Sequence, residues 1–269
     1  MPSIIPPREH HPRRKTILRY NPHYWKVDKL GQRLPYLDEI VIHYIPQRDT
    51  QILRLEAGEL DLLDAQVRPS DLNRLEGKAF QLLDAESSVQ LKFLWFNQNP
   101  GAPKLSPSRR NWFANADFRR AGSLGISRRA IVENVFQGRA EEAWSLMPSS
   151  IRTWHAPSVR KYPYDPGQAR RLLMEAGFSW IEEGGRTRLV DAGRSPAQFE
   201  IFCRSDQQWG RIAAVVQQDT RIQEILADEV PFVPLVNQNI LVVASPALQG
   251  LQPAPLFPHT LWNGWELSF

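Results

Sequence analysis

Residues 21–64, NPHYWKVDKLGQRLPYLDEIVIHYIPQRDTQILRLEAGELDLLD, constrain this chain most, because turn, aromatic, strand and helix signals follow one another there without a gap. Asn21 before Pro22 reads as a turn, since the residue preceding proline is pushed out of the helical region and Pro22 fixes its own φ. Tyr24 and Trp25 then carry a large apolar load. Over 39–45, Ile40, Ile42 and Tyr44 alternate with Val41, His43 and Ile45, the pattern of a strand buried on at least one face. His43 within it reads as a core or edge histidine rather than a ligand. After Pro46 the period changes. Asp49 or Thr50 caps a helix carrying Ile52, Leu53 and Leu55, Gly58 stops it, and Leu60, Leu62 and Leu63 return to strand character. Strand, helix and strand make a compact α/β unit, compatible with a parallel crossover.

Downstream, Ser70 is placed to cap a short helix ending at Gly77, and residues 80–83 and 89–96 read as two strands. The second runs into Asn97, Asn99, Pro100, Gly101 and Pro103, where composition turns from strand-rich to helix-rich. This makes 97–108 the best internal boundary. Asp117 opens a helix through Leu124, and Ser127 caps another that stops at Gly138. The doublets Arg109 Arg110, Arg119 Arg120 and Arg128 Arg129 read as solvated helix faces rather than a phosphate site. Over 165–178, Asp165 at the N-cap, Pro166 at the first helical position and Gly177 past the end give the clearest helix punctuation in the chain. Residues 179–197 read as a hairpin or loop, 198–203 as a strand, 207–227 as one helix, and 231–244 as an extended segment interrupted near 237–239. The proline-rich end reads as an ordered loop held by Trp262 and Trp265.

With 42% hydrophobic residues, the 269-residue chain has ample material for a buried core. Its net charge of +4 is spread along the chain, too diffuse to argue for nucleic acid. The single cysteine, Cys203, forms no internal disulfide and has no metal-ligand spacing around it; it reads as a small hydrophobe in a strand. No metal site, cofactor motif or catalytic constellation such as GxSxG, HExxH or a Rossmann glycine pattern is present, so no enzyme is expected. Residues 1–15 lack the apolar run of a signal peptide, and no window approaches the roughly 20 apolar residues of a membrane span. Among nine tryptophans, most are read as packing residues, and Trp95, beside the boundary, is the best candidate to line a ligand cleft.

The turn Pro22, Tyr24, Trp25, the strand entry Pro35, Leu37, Asp38, Glu39, Ile40, and the turn Gly58, Glu59, Asp61 match in order and spacing the signature region of the family 5 extracellular solute-binding proteins. These are the peptide- and nickel-binding components of ABC importers. The resemblance continues through FLWFNQNPGAP, the Asp117–Ala121 helix, DPGQARRLLMEAGF and the closing segment from Val233, covering nearly the whole chain from about residue 16. The chain departs from the family at Gly125 and Ser127; Ser127 still caps a helix, while Gly125 weakens one.

The resemblance implies an incomplete α/β, two-lobed, periplasmic-binding-protein-like (class II) architecture. Residues 1–96 would be the surviving part of lobe one, 97–227 a shortened lobe two, and 228–269 a C-terminal return to lobe one. The first part of lobe one and a large part of lobe two are expected to be missing, so that the helix over 207–227 joins two helices separate in intact relatives. The implied function is to bind a peptide or similar small solute in an interlobe cleft and deliver it to a membrane permease, as a monomer, in the periplasm or cell envelope. Trp95, Phe96 and Asn97 are the implied ligand-contacting residues, and a hinge-and-packing role is equally open to all three. A non-binding truncated remnant is the alternative; an intracellular hydrolase is a third reading.

Overall fold

The computed structural model describes residues 7–11, 14–63, 67–75, 77–223, 232–254 and 261–268. Packing divides the chain into two compact units, residues 1–88 with 239–269, and residues 89–238.

In the first unit, β1 (Pro7–His11), β2 (Lys15–Arg19) and β3 (Glu39–His43) form an antiparallel sheet in that order. The expected turn between β2 and β3 is present: the Asn21 carbonyl accepts from the Tyr24 N–H at 3.0 Å, and its side-chain oxygen accepts from the His23 N–H at 2.9 Å. Tyr24 is buried and Trp25 is exposed, so only one ring of the pair packs. α1 (Arg48–Glu56) is capped by neither Asp49 nor Thr50; its N-cap is Gln47, without a side-chain bond. Asp49 lies in the first turn, where its charge still complements the helix dipole. Ile52 and Leu55 are fully buried while Leu53 is exposed, because a short helix on one core turns only one stripe inward.

β4 (Leu62–Leu63) does not complete a crossover with β3. It belongs to a different sheet, where it pairs antiparallel with β9 (Phe232–Ala244), and β9 in turn neighbours β5 (Gln81–Trp95). In α2 (Pro69–Leu75), Ser70 sits inside the helix rather than at its cap; the carboxylate of Asp71 accepts from the Arg68 N–H at 3.0 Å and pairs with Arg48 at 2.8 Å. β9 is buried on both faces: Leu241 and Val243 join Ile52, Leu55 and Leu63, whereas Ile240 and Val242 join Ala85. Such a strand reads as a continuous apolar run.

The second unit is mainly helical: α3 (Pro107–Ala114), α4 (Ala116–Gly125), α5 (Arg128–Phe136), α6 (Pro166–Glu175) and α7 (Gln207–Gln223). Side chains of Ser106, Asn115, Ser127 and Asp165 cap the first four, each accepting from a main-chain N–H three residues on. Asn115, not Asp117, opens α4. β6 (Ala140–Glu142) pairs with β9 opposite Val236–Gln238. Residues 179–190 form a hairpin, β7 (Ser179–Glu183) and β8 (Arg186–Val190), turned by Gly184 and Gly185 at φ 61° and 72°. The core is aromatic: Phe118 stacks on Phe178 at 5.0 Å between centroids, and Trp112 and Phe96 close it.

Four further expectations differ from the structure. The two strands over 80–96 are one, β5, which continues through Glu86 at a φ of 63°. β9 runs through 237–239 uninterrupted, with Asn237 and Gln238 buried. Residues 198–203 make no strand, and Cys203 is exposed rather than a packed hydrophobe. The arginine doublets are not all solvated: Arg119 and Arg128 are 4% and 3% exposed. α7 is described to Gln223, so its expected extension to 227 lies outside the described residues, as do the side chains of Trp262 and Trp265 in the 3-10 segment Leu261–Glu266. The packing divisions at 88/89 and 238/239 fall inside β5 and β9, whereas the expected boundary at 96/97 follows a shift in composition and that at 227/228 is what the resemblance implies.

Arg128 shows why a doublet arginine goes inward. Its guanidinium donates to the carbonyls of Ser123, Ala143 and Tyr162 and to Ser123 Oγ, and lies 4.3 Å from the centre of the Trp144 ring. Burial pushes its pKa down to about 10, partly opposed by Glu142. Removing it leaves several buried acceptors unpaired, each worth about 1–3 kcal/mol. Arg128→Ala is therefore expected to lose about 3–5 kcal/mol in urea unfolding, against at most about 0.5 kcal/mol for Arg129→Ala at the exposed neighbour.

Asp219 on α7 accepts from the Ser127 N–H at 2.9 Å, and burial holds its carboxyl above the ordinary carboxylate value of 3.8, the hydrogen bond opposing. A raised folded-state pKa means the folded chain binds the proton more tightly, so this group's contribution falls as pH rises through that window. Asp219→Asn keeps an acceptor oxygen and removes the titration. Its unfolding free energy relative to the parent should rise from pH 3 toward neutrality and then stay flat; a parent that gains on the variant over that window would contradict this.

Candidate functional site

The three residues expected at the ligand, Trp95, Phe96 and Asn97, lie at the end of β5 and just beyond it, all in the second unit. Strand geometry separates them, because successive side chains point to opposite faces. Phe96 is 3% exposed and packs into the core, its ring 5.4 Å from that of Phe113. Trp95 is 64% exposed and Asn97 is also exposed, on the other face. The structure thus brings Trp95 and Asn97 together and turns Phe96 away from them.

Asn97 starts a pair of side-chain turns. Its oxygen accepts from the Asn99 N–H at 3.1 Å, and the Asn99 oxygen accepts from the Gly101 N–H at 2.9 Å. This fixes the Asn97 amide group by its oxygen and leaves its two N–H donors with no protein partner among the described residues.

The outward face of β5 extends the site beyond the sequence expectation. Val89, Leu91, Phe93 and Trp95 form a period-two apolar stripe leading to Asn97, with Val89 and Phe93 among the exposed hydrophobic residues of the chain. A row of outward branched and aromatic side chains along one strand face is a surface that can cover an apolar group and exclude water. Sequence reasoning took Trp95 for its position and missed Leu91 and Phe93. The alternation in VQLKFLWFN was the signal that would have found them.

The inward face of the same strand holds it in place. Lys92 is buried, its ammonium 5.8 Å from the centre of the Trp209 ring on α7. Burial pushes the Lys92 amine down, nearby Arg204 adds to that, and Asp206 opposes it. Leu94 and Phe96 complete this face against the helical core. The stripe is consequently presented on a strand locked from behind.

Among the described residues, three grooves within single units have volumes of about 220, 540 and 780 Å³, and none of these three is lined by Trp95, Phe96 or Asn97. No cluster of three or more metal-ligating side chains occurs among the described residues. No helix among them is long and apolar enough to cross a membrane.

The two faces predict opposite mutational behaviour. Phe96→Ala should cost about 3–5 kcal/mol of stability, as for any fully packed phenylalanine. Trp95→Ala should stay within about 0.5 kcal/mol of the parent. Urea unfolding of the two variants checks the division.

Known proteins share this sequence family and this fold. The model of the bacterial extracellular solute-binding proteins, family 5 Middle, matches residues 8–221. A probable ABC transporter-binding protein of Deinococcus radiodurans is 28% identical over 76% of this chain and 35% of its own length. The glutathione-binding protein GsiB of Salmonella typhimurium is 32% identical over 70% of this chain and 33% of its own. Among solved structures, NikZ from Campylobacter jejuni in complex with Ni(L-His) superposes with a TM-score of 0.73 at 16% identity, covering 99% of this chain and 68% of that one. AppA from Bacillus subtilis with a nonapeptide gives 0.63 at 16% identity, covering 98% of this chain and 66% of that one. The chain spans about a third of the length of these curated relatives. Its mixed α/β fold is that of the two-lobed, class II solute-binding proteins over the part it covers, and the chain belongs to the family 5 extracellular solute-binding proteins.

Proposed function

We propose that this chain is the solute-binding component, in shortened form, of an ABC importer. In this reading the residues 1–88 and 239–269 are what is present of lobe one, and 89–238 a reduced lobe two. The observation that carries it is the outward stripe of half-buried Leu91 and exposed Phe93 and Trp95, with the Asn97 amide donors at its end, in a chain of this family. The aromatics cover the side chains of a peptide or similar small solute, and Asn97 donates to a main-chain carbonyl. The protein acts as a monomer in the periplasm or cell envelope, delivers its solute to a membrane permease, binds no nucleic acid and performs no catalysis. Differential affinity for one conformation of the two units is what would signal loading to the permease.

A specific observation favours a second reading, a remnant that no longer binds. None of the three grooves described within single units is lined by Trp95, Phe96 or Asn97. Titrating the purified chain with a mixture of short synthetic peptides, with glutathione and with nickel–histidine, and following heat and tryptophan fluorescence, separates the two. Saturable binding that weakens at least about tenfold in Trp95→Ala supports the proposal, an aromatic anchor being worth about 1.4 kcal/mol or more. No binding by a chain with a folded spectrum supports the remnant. Release of cleaved peptide would overturn both.

A further inference from the structure

Residues 26–34 fold into a hairpin whose two sides differ in character. The Leu34 N–H donates to the Lys26 carbonyl at 3.2 Å, Val27 bridges Arg33 antiparallel, and the Asp28 N–H donates to the Gln32 carbonyl at 2.9 Å. Asp28 also sets the turn with its side chain. One carboxylate oxygen accepts from the N–H groups of Leu30 and Gln32, both at 2.8 Å, and the other accepts from the Tyr36 hydroxyl at 2.7 Å. Gly31 closes the turn at a φ of 80°. These bonds hold the tip in one shape.

Residues directly opposite each other in an antiparallel pair share a face. On one face Leu34 is buried and the Lys26 ammonium lies 3.6 Å from the Glu266 carboxylate, so this side is turned to the body of the first unit. The other face carries Val27 and Arg33. Val27 is exposed, Trp25 two residues before it is 77% exposed, and Leu30 at the tip is 84% exposed. Lys29, beside Leu30, makes no hydrogen bond or ion pair among the described residues, and Arg33 spends one donor on the Pro22 carbonyl at 3.2 Å. The outward side therefore combines an indole, two aliphatic side chains and two cations. The only carboxylate within 26–34, that of Asp28, is engaged by its own turn.

Every residue from 29 to 33 is exposed, so the tip stands clear of the unit that carries it. A stable protein partner needs about 800 Å² from each side, more than the outward side of one hairpin offers. A lipid surface has no such threshold. It yields around a convex tip, takes up an aliphatic side chain, seats an indole at the level of its headgroups and attracts cations when those headgroups are anionic. We infer that the hairpin over 26–34, with Trp25, docks this chain on an anionic lipid bilayer surface, Leu30 entering the headgroup boundary, Trp25 seated beside it, and Lys29 and Arg33 on lipid phosphates. Docking of this kind is shallow and reversible, lying on the bilayer rather than spanning it. It goes beyond solute binding and uses no residue of the β5 stripe.

The test floats the full chain with vesicles of phosphatidylcholine alone and with vesicles that also contain phosphatidylglycerol. Binding to the anionic vesicles should exceed binding to the neutral ones by about fivefold or more, and should fall about fivefold in Lys29→Gln. It should fall about tenfold or more when Trp25→Ser and Leu30→Ser are combined. Phe202→Ser removes a ring that is 89% exposed elsewhere in the chain and should bind as the parent does. No flotation, equal flotation with both vesicle types, flotation that survives the paired substitution, or an equal loss in Phe202→Ser overturns the inference. Self-association that the paired substitution abolishes also overturns it, by assigning the tip to a second copy. Trp95 and Asn97 are untouched throughout, so failure to dock and failure to bind solute are told apart.

Discussion

The buried guanidinium of Arg128 is the interaction on which the second unit depends. A charge placed in an apolar interior is tolerated only when its donors are used, and Arg128 uses them on carbonyls from three separate stretches of chain, at Ser123, Ala143 and Tyr162. Those three stretches are the end of α4, the residue after β6 and the loop before α6. One side chain at the first position of α5 therefore ties together α4, the exit of β6 and the approach to α6, adding to the packing of α4 on α6 and the Asp165 N–H bond to the Leu124 carbonyl. The aromatic core formed by Phe96, Trp112, Phe118 and Phe178 packs around this scaffold, and α7 joins it through the Asp219 contact to Ser127.

With that body fixed, β5 acquires two unlike faces. Its inward face ends in Phe96 and includes Lys92 over Trp209, so the strand is held by a core aromatic at one point and a cation over an indole at another. The outward face then has no freedom to hide its apolar side chains, because rotating the strand would expose Phe96 and bury Trp95 together. Alternation converts a packing requirement on one face into an exposed stripe on the other. Burial alone makes Val89, Phe93 and Trp95 unusual, and their common face gives them a joint meaning.

Local signals made some of this fold legible and not the rest. Helix ends defined by side-chain oxygens, such as Ser127 and Asp165, were readable because a cap bonds within three residues of itself. Asn21 before Pro22 was readable for the same reason. Apart from the helix starts misplaced at α1, α2 and α4, what failed involved partners distant in sequence. The parallel crossover between β3 and β4 was a fair inference from spacing, but sheet membership is decided by β9, which lies far along the chain. The inward turn of Arg128 depends on carbonyls that no local pattern reveals. Residues 198–203 show the converse, since their alternation was visible while the absence of a partner was not. For the site, Trp95 and Asn97 were found by position, Phe96 was turned inward by strand parity, and Leu91 and Phe93 were missed although the same parity would have supplied them.

The segment over 199–203 and the stripe on β5 are exposed for different physical reasons. An exposed apolar stripe can be a finished feature of a solute-binding surface, since a ligand covers it only part of the time. A run of unpaired main-chain groups is costly to leave open in a cell, because any free strand can pair with it and aggregation follows. Among the described residues, 199–203 make no main-chain hydrogen bond, and Phe199 and Ile201 hold the segment to the aromatic core by their side chains. Side-chain packing therefore sets its alternation without a ladder, which is why a strand pattern in the sequence need not become a strand.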